Sequence, residues 1–256
     1  MYIISQVFAA SNIDQLLEKA EKELMKRIDK FEQKGSGWLL HRLLTLDVHI
    51  DAFVPLRASS YIPTPDYIAA KKAVINLQNE DNGCFQWAYL AATKSNEIRN
   101  KPHKVRHYRK YVNELNMKGL EMPLKITDIP RFERQNDCSV SVYGYEENFI
   151  QAQEEWERYV YPLKVAREMK TKHVDMLLIS DGEKTHYCWI KNMSKLLAGQ
   201  YTKHNGELAY CRFCCHGFYG KAVKGRCTRL EDAKRRRDEH EIECYTHNGQ
   251  LLVFPE

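Results

Sequence analysis

Five of the eight cysteines of this 256-residue chain fall in its last 46 residues: Cys211, Cys214, Cys215, Cys227 and Cys244. A secreted disulfide scaffold of this length would spread its cysteines more evenly. In a reducing compartment a local cluster reads first as a metal site, and such a site dictates the fold around it. "YCRFCCHGF" supplies Cys211-x2-Cys214, and "RRRDEHEIEC" supplies His240-x3-Cys244, one helical turn apart on one face. Four such ligands close a tetrahedral, structural Zn2+ site. Phe218 follows the second cysteine by four residues, where ββα fingers place a core aromatic. The spacing departs from such fingers, with 25 residues between Cys214 and His240 instead of about 12. Cys215, His216, Cys227 and His247 are therefore alternative ligands.

The remaining cysteines, Cys84, Cys138 and Cys188, stand apart from the cluster. Cys138 and Cys188 fall in strand-like segments and read as core residues. Cys84 differs, because it sits where the turn cluster "NEDNG" runs into "CFQWAYLAA", with Phe85, Ala88, Tyr89 and Ala92 near one helical face. A thiol at a helix N-terminus beside an imidazole is lowered in pKa and becomes a nucleophile. The imidazole that fits is His186, about 100 residues later, at the start of "THYCWIKN". The competing reading of Cys84 is a small buried apolar residue.

Around these points the chain alternates between helix and strand signals. Residues 11–34 carry Ile13, Leu16, Leu17, Ala20, Leu24, Ile28 and Phe31 at helical spacing, with Ser11 as cap. "LTLDVHID" alternates as a half-buried strand that leaves His49 on its polar face. "RASSYIPTPDY" is a loop, "KAVINLQ" a short strand, "HKVRHYRKYVNELN" a basic helix and "ITDIPRFERQN" a short helix. "CSVSVYGY", "YVYPLKVA", "HVDMLLIS" and "THYCWIKN" are successive strands, the last two joined by a hairpin at Asp181-Gly182. Helices come mainly first and strands later, which gives an α+β class. The expected domains are residues 1–70 packing on the core, 71–200 as the core itself and 205–250 as the zinc module.

Asp81-x-x-Cys84-Phe85, the helix after it and a late "LLIxxxxxxHY" strand resemble the ovarian-tumour (OTU) class of papain-like cysteine proteases, over roughly residues 71–197. The resemblance implies a papain-like, OTU-like core, hydrolysis of isopeptide bonds to ubiquitin, Cys84 as nucleophile and His186 as general base. It also implies an oxyanion hole from the amides of residues 81–84. Two positions depart from the pattern. Cys188 stands two residues after the histidine, where an acidic or amide residue often orients the ring, so Asn192 or Asp81 would have to substitute. Asn82 stands where a glycine is common. Gln78, six residues before Cys84, matches the spacing of the oxyanion-hole glutamine in papain-like enzymes.

A wider resemblance covers nearly the whole chain, from about Gly35 to Pro255. In order, "KGSGWLLHRLLTLDVHI", "PLRASSYIPTP", "KKAVINLQNEDNGCFQWAYLAA", "LKITDIPRFERQNDCSVSVYGYE", "VYPLKVA", "HVDMLLI", "HYCWIKNMSKLL" and "YCRFCCHGF" resemble a region encoded by animal mobile elements and related viruses. There it precedes or is fused to a protein-primed type-B DNA polymerase. Polymerase activity itself is not expected, because neither an exonuclease-type Asp-x-Glu block nor a polymerase Asp motif follows "QLLVFPE".

Net charge is +5, and the basic residues concentrate at 100–110 and 221–237. That supports the alternative function, an inert module that holds nucleic acid or a DNA polymerase. The primary reading is a cysteine protease acting on a protein substrate, ubiquitin or a relative of it. No run of about 18 apolar residues is present and the N-terminus lacks a basic n-region, so neither a membrane span nor a signal peptide is expected. The expected location is intracellular, in nucleus or cytoplasm.

Overall fold

The computed structural model describes residues 14, 18, 21–22, 24–26, 61–150, 154–182, 184–201, 207–220 and 228–246. The chain divides into two compact units, Met1–Phe53 with Leu252–Glu256, and Val54–Leu251. In the first unit all seven described residues are helical, within the helix expected at 11–34, and Lys22 pairs with Glu18 one turn earlier at 2.6 Å. The strand expected at "LTLDVHID", with His49, lies outside the described residues.

The second unit is α+β. Its elements run α1 (Asp66–Lys71), β1 (Val74–Ile75), α2 (Cys84–Thr93), α3 (Ile129–Asn136), β2 (Ser139–Ile150), β3 (Glu155–Lys164), β4 (His173–Ser180), β5 (Thr185–Ile190), α4 (Met193–Tyr201), β6 (Ala209–Tyr210), β7 (Gly217–Phe218) and α5 (Arg229–Thr246). The basic stretch expected as an α-helix is instead two 3₁₀ segments, Val105–His107 and Arg109–Glu114. Its apolar residues do not hold a 3.6-residue stripe, and the buried Val105, Tyr108 and Tyr111 recur every third position, the 3₁₀ period. The loop before Asp66 matches its two prolines. The first of the α+β helices then begins at Asp66, straight after Pro65.

Five strands form one sheet in the order β1-β5-β4-β2-β3. Strand β4 is central, and "VDMLLI" reads as a nearly continuous buried run because both faces are covered. Strands β4 and β5 form the antiparallel hairpin expected at Asp181-Gly182, where Gly182 takes φ +95° and the Lys184 amide donates to the Asp181 carboxylate at 2.8 Å. Strand β2 runs parallel to β4, pairing Ser139 with His173 through Gly144 with Leu178. Beyond Gly144 the β2–β3 pair continues alone to Ile150 and Glu155 as a ribbon. Pro162 is accommodated because β3 is an edge strand.

Helices α2 and α3 share an aromatic core with β5. The Phe85 ring meets Phe132 at 5.0 Å and Tyr187 at 5.3 Å between centroids, both edge to face, and Tyr89 meets Phe132 at 5.0 Å. Such pairs add about 0.5–1.5 kcal/mol each beyond area burial. A second cluster joins Ile68 of α1, Leu177, Cys188 and Ile190 of the sheet, Leu196 and Leu197 of α4, and Leu208 and Cys215 of the cysteine-rich segment. That segment is thus continuous with the core: the Tyr143 hydroxyl donates to the Arg212 carbonyl at 3.2 Å, and the Leu208 amide donates to the Ser194 hydroxyl at 2.7 Å. Residues of the segments expected as separate domains, 71–200 and 205–250, therefore share one compact unit.

Phe85 is fully buried between two helices and a strand. Phe85→Ala is expected to cost about 3–5 kcal/mol, read as a lower urea midpoint with an unchanged slope.

Candidate cysteine–histidine site and cysteine-rich metal cluster

Strand β1 pairs with β5 over only two residues, Val74 with Ile190 and Ile75 with Trp189. The chain then leaves the sheet and returns through residues 76–83 to start α2 at Cys84. Here Phe85, next to Cys84, packs on Tyr187, next to His186, and the Tyr187 amide acts to lower the Cys84 thiol. The fold therefore brings the helix start to the strand that carries the histidine, across about 100 residues of sequence.

The turn into α2 is built on Asp81. Its carboxylate accepts from the Gly83 amide at 2.9 Å and from the Trp87 indole at 2.9 and 3.1 Å, and the Asn79 side-chain amide donates to it at 3.2 Å. Gly83 is required by close approach: a Cβ there would meet the Gln86 amide nitrogen at 2.7 Å and the Trp87 indole nitrogen at 2.9 Å. The Asp-x-x-Cys spacing thus serves to fold the loop and aim the helix. Asn79 is 3% exposed, and its side-chain oxygen is a buried acceptor with no hydrogen-bond partner among the described residues.

Both reactive groups are sealed. Cys84 is 1% exposed and His186 0%. Burial pushes the Cys84 thiol up to about 12, opposed by the amides of Tyr187, Phe85 and Cys84 itself, while the Asp81 charge adds to the rise. The expected lowering at a helix N-terminus is thus outweighed by desolvation in this conformation. The Tyr61 ring stands edge to face on His186 at 6.0 Å between centroids. Tyr61 is held by its amide to the Asn79 carbonyl at 3.2 Å, and the Asn76 side chain donates to the Ile62 carbonyl at 2.8 Å and the Thr64 hydroxyl at 2.9 Å. Residues 61–64 thus form a strap tied to the segment after β1, and its Tyr61 ring packs on the histidine. The sequence marked them only as a loop; the signal available was an aromatic residue between turn-forming neighbours.

The residues expected to assist are placed elsewhere. Asn192 is exposed, and its side-chain oxygen accepts from the Lys195 amide at 2.9 Å as the N-cap of α4. Asp81 is engaged with Gly83 and Trp87, so its carboxylate holds the loop. Gln78 is exposed; its amide donates to the His103 carbonyl at 3.0 Å and its side-chain oxygen accepts from Lys104 at 2.7 Å. Cys188 is buried in the apolar cluster and orients nothing polar, and Cys138 is buried beside Tyr89.

The second site is the cysteine cluster. The β6–β7 hairpin presents Cys211 and Cys214, and α5 presents His240 and Cys244 one turn apart. One ligand atom from each lies within 4.8 Å of all the others, close enough to bind a metal ion. The Cys214 sulfur is 3.3 Å from His240 Nε2. Hydrogen bonds from Cys211 and Cys244 hold the Cys214 thiol far below its ordinary value, the form a metal requires. Of the alternative ligands, Cys215 faces the apolar core, while Cys227 and His247 lie outside the described residues. His216 packs on Phe218 at 4.9 Å, and Phe218 on His240 at 5.1 Å, so Phe218 backs the ligand ring.

Three cations of the basic run of α5 are ion-paired, two of them with acids of the same helix. Arg235 pairs with Asp232 and Glu239, Arg237 with Asp238 and Lys234 with Glu207, while Arg236 donates to the Tyr219 carbonyl. Among the described residues no helix is long and apolar enough to cross a membrane.

Replacing the strap residue, Tyr61→Ala, is expected to speed iodoacetamide alkylation of Cys84, mapped by mass spectrometry, by tenfold or more. Asn192→Ala is expected to lower stability by about 1 kcal/mol through loss of the cap and to leave that rate unchanged. No protein-family model, curated protein or solved structure matches the chain.

Proposed function

We propose that the chain is an OTU-like cysteine peptidase or isopeptidase of mobile-element or viral origin, with a zinc-bound module built into its core. The observation that supports it most is the seating of Cys84, at the start of a ten-residue helix, against the amide next to His186 on the open edge of β5. In the reaction the strap opens and water or substrate enters. His186 takes the thiol proton as Cys84 attacks the carbonyl carbon. The C–N bond breaks, the amine leaves with that proton, and a thioester remains for water to hydrolyse. The amides at the start of α2 are the donors available to the oxyanion.

Full-length protein treated with ubiquitin bearing a C-terminal electrophile, and separately with a small thiol-directed probe, tests this reading. Labelling is expected at Cys84, with none in Cys84→Ala and a drop of 10²-fold or more in His186→Ala. Equal labelling of His186→Ala would refute the dyad. Labelling by the small probe alone would refute ubiquitin as substrate.

The donor set of three sulfurs and one imidazole suits zinc, whose tetrahedral site places sulfurs about 3.8 Å apart. All four positions are filled by protein, so the ion would be structural. One zinc per chain is expected by elemental analysis, and well below that in Cys244→Ser. Because Cys215 and Arg212 tie this segment to the sheet, chelation is expected to lower the melting temperature by roughly 5 °C or more.

The alternative, an inert module for nucleic acid or a polymerase, draws on the basic residues of 100–110 and 221–237; of the latter, Lys234, Arg235 and Arg237 are already ion-paired and 221–227 lie outside the described residues.

A further inference from the structure

Residues 101–109 carry Lys101, His103, Lys104, Arg106, His107 and Arg109. They are fixed in place. Tyr108 is fully buried in the cluster of Leu77, Trp87 and Leu90, and its hydroxyl donates to the Pro102 carbonyl at 2.9 Å. The His103 carbonyl accepts from the Gln78 amide at 3.0 Å, and Lys104 donates to the Gln78 side chain at 2.7 Å. Gln78 opens the loop that ends at Cys84, and its neighbour Asn79 holds the Tyr61 strap. The cationic stretch therefore flanks the entrance loop of the cysteine–histidine site.

Among the described residues, Lys101, Lys104, Arg106 and Arg109 make no ion pair, and neither does Glu80 of the entrance loop. By contrast, Lys94 nearby pairs with Glu114 at 2.7 Å. The crowding registers on His103, whose imidazole is held below its usual value by burial and then by Lys104, Lys101 and His107. Lys101 takes φ +50°, a conformation in which glycine or asparagine costs less than lysine.

We propose that Lys101, His103 and Lys104 form an acid-binding rim, so that the protein chain cut at Cys84 is one that carries aspartate or glutamate side chains beside the scissile carbonyl. This substrate assignment rests on the peptidase reading. An acidic peptide fits better than a nucleic acid. Tyr108 and Tyr111, the aromatic residues interleaved with these cations, are 0% and 9% exposed, so they offer bases no stacking face. On α5, Arg235 and Arg237 pair with acids of the same helix and Lys234 pairs with Glu207.

Two measurements on the full chain test the proposal. In the first, Cys84→Ala protein is titrated with fluorescein-labelled octaglutamate, octalysine and a 20-nucleotide oligothymidylate at two salt concentrations. Octaglutamate is expected to bind, octalysine not, and K101E/K104E to weaken octaglutamate tenfold or more, with K101A/K104A intermediate. Octaglutamate binding that is absent, or unchanged in both variants, overturns the rim. Oligothymidylate that binds more tightly than octaglutamate, and is lost in K101E/K104E, overturns it in favour of nucleic acid.

In the second, wild type digests a peptide mixture from a denatured proteome, and the cut sites are sequenced. Acidic residues are expected to be enriched near the Cys84-dependent cuts, and the enrichment to vanish in K101E/K104E. Cys84-dependent cutting without acidic enrichment overturns the substrate assignment and leaves the peptidase reading standing. No Cys84-dependent cutting overturns the peptidase reading and the substrate assignment with it.

Discussion

The packing of Phe85 against Tyr187 is the contact on which the candidate site depends. These two residues directly follow Cys84 and His186 in sequence, so the edge-to-face pair fixes where the thiol and the imidazole stand. The contact is apolar and fully buried, and Phe132 supports it from α3. Asp81 contributes from the other direction: by gathering Gly83 and Trp87 it sets the angle at which α2 enters the core. A chemical site is thus positioned by a hydrophobic interface behind it and a polar turn in front. Asp81, three positions before Cys84, thus acts on the turn and on Trp87.

Local order was legible in the sequence where one period ruled. Helix α2 begins at the expected Cys84, β4 spans "HVDMLLIS", and the β4–β5 turn falls on Asp181-Gly182. These segments contain their own signals: a turn cluster, a continuous apolar run, and a pair of turn residues. The parallel pairing of β2 with β4 carried no such signal, because it is made by the sheet's burial needs and not by any turn. The 3₁₀ segments were missed because basic residues between the apolar ones resemble the exposed face of an α-helix. At the candidate site, what was legible is that Cys84 opens a helix and His186 lies on a strand, two elements that the fold packs together. Asn192 was misread because a helix cap and a ring-orienting amide look alike in sequence, and only the Lys195 amide at 2.9 Å tells them apart.

Charge distribution shows the same limit. Counted along the sequence, the "KRRRD" run of α5 and residues 101–109 each carry four lysines and arginines. In α5, Arg235 meets acids three and four positions away along one helical face, Arg237 meets Asp238 and Lys234 meets Glu207. In residues 101–109 the 3₁₀ geometry turns Tyr108 and Tyr111 inward, and no acid of the segment answers the cations on its outer side. Pairing, not the number of lysines and arginines, decides which patch still has a field to offer.

The cysteines divide into two electrostatic classes, and that division separates their chemistry. Cys84 is almost fully buried, so its few amide donors are outweighed by desolvation and the thiol stays neutral. Cys214 lies in a cluster of like ligands, where neighbouring thiols donate to it and stabilise the anion at partial burial. The same contacts raise the Cys211 and Cys244 thiols, so only Cys214 is favoured as a thiolate without a cation, and a bound metal would displace the other two protons. A nucleophile held that way would be open to oxidation and alkylation at rest. Desolvation raises the Cys84 thiol and keeps it neutral in this conformation, whereas hydrogen bonds from sulfur neighbours lower Cys214.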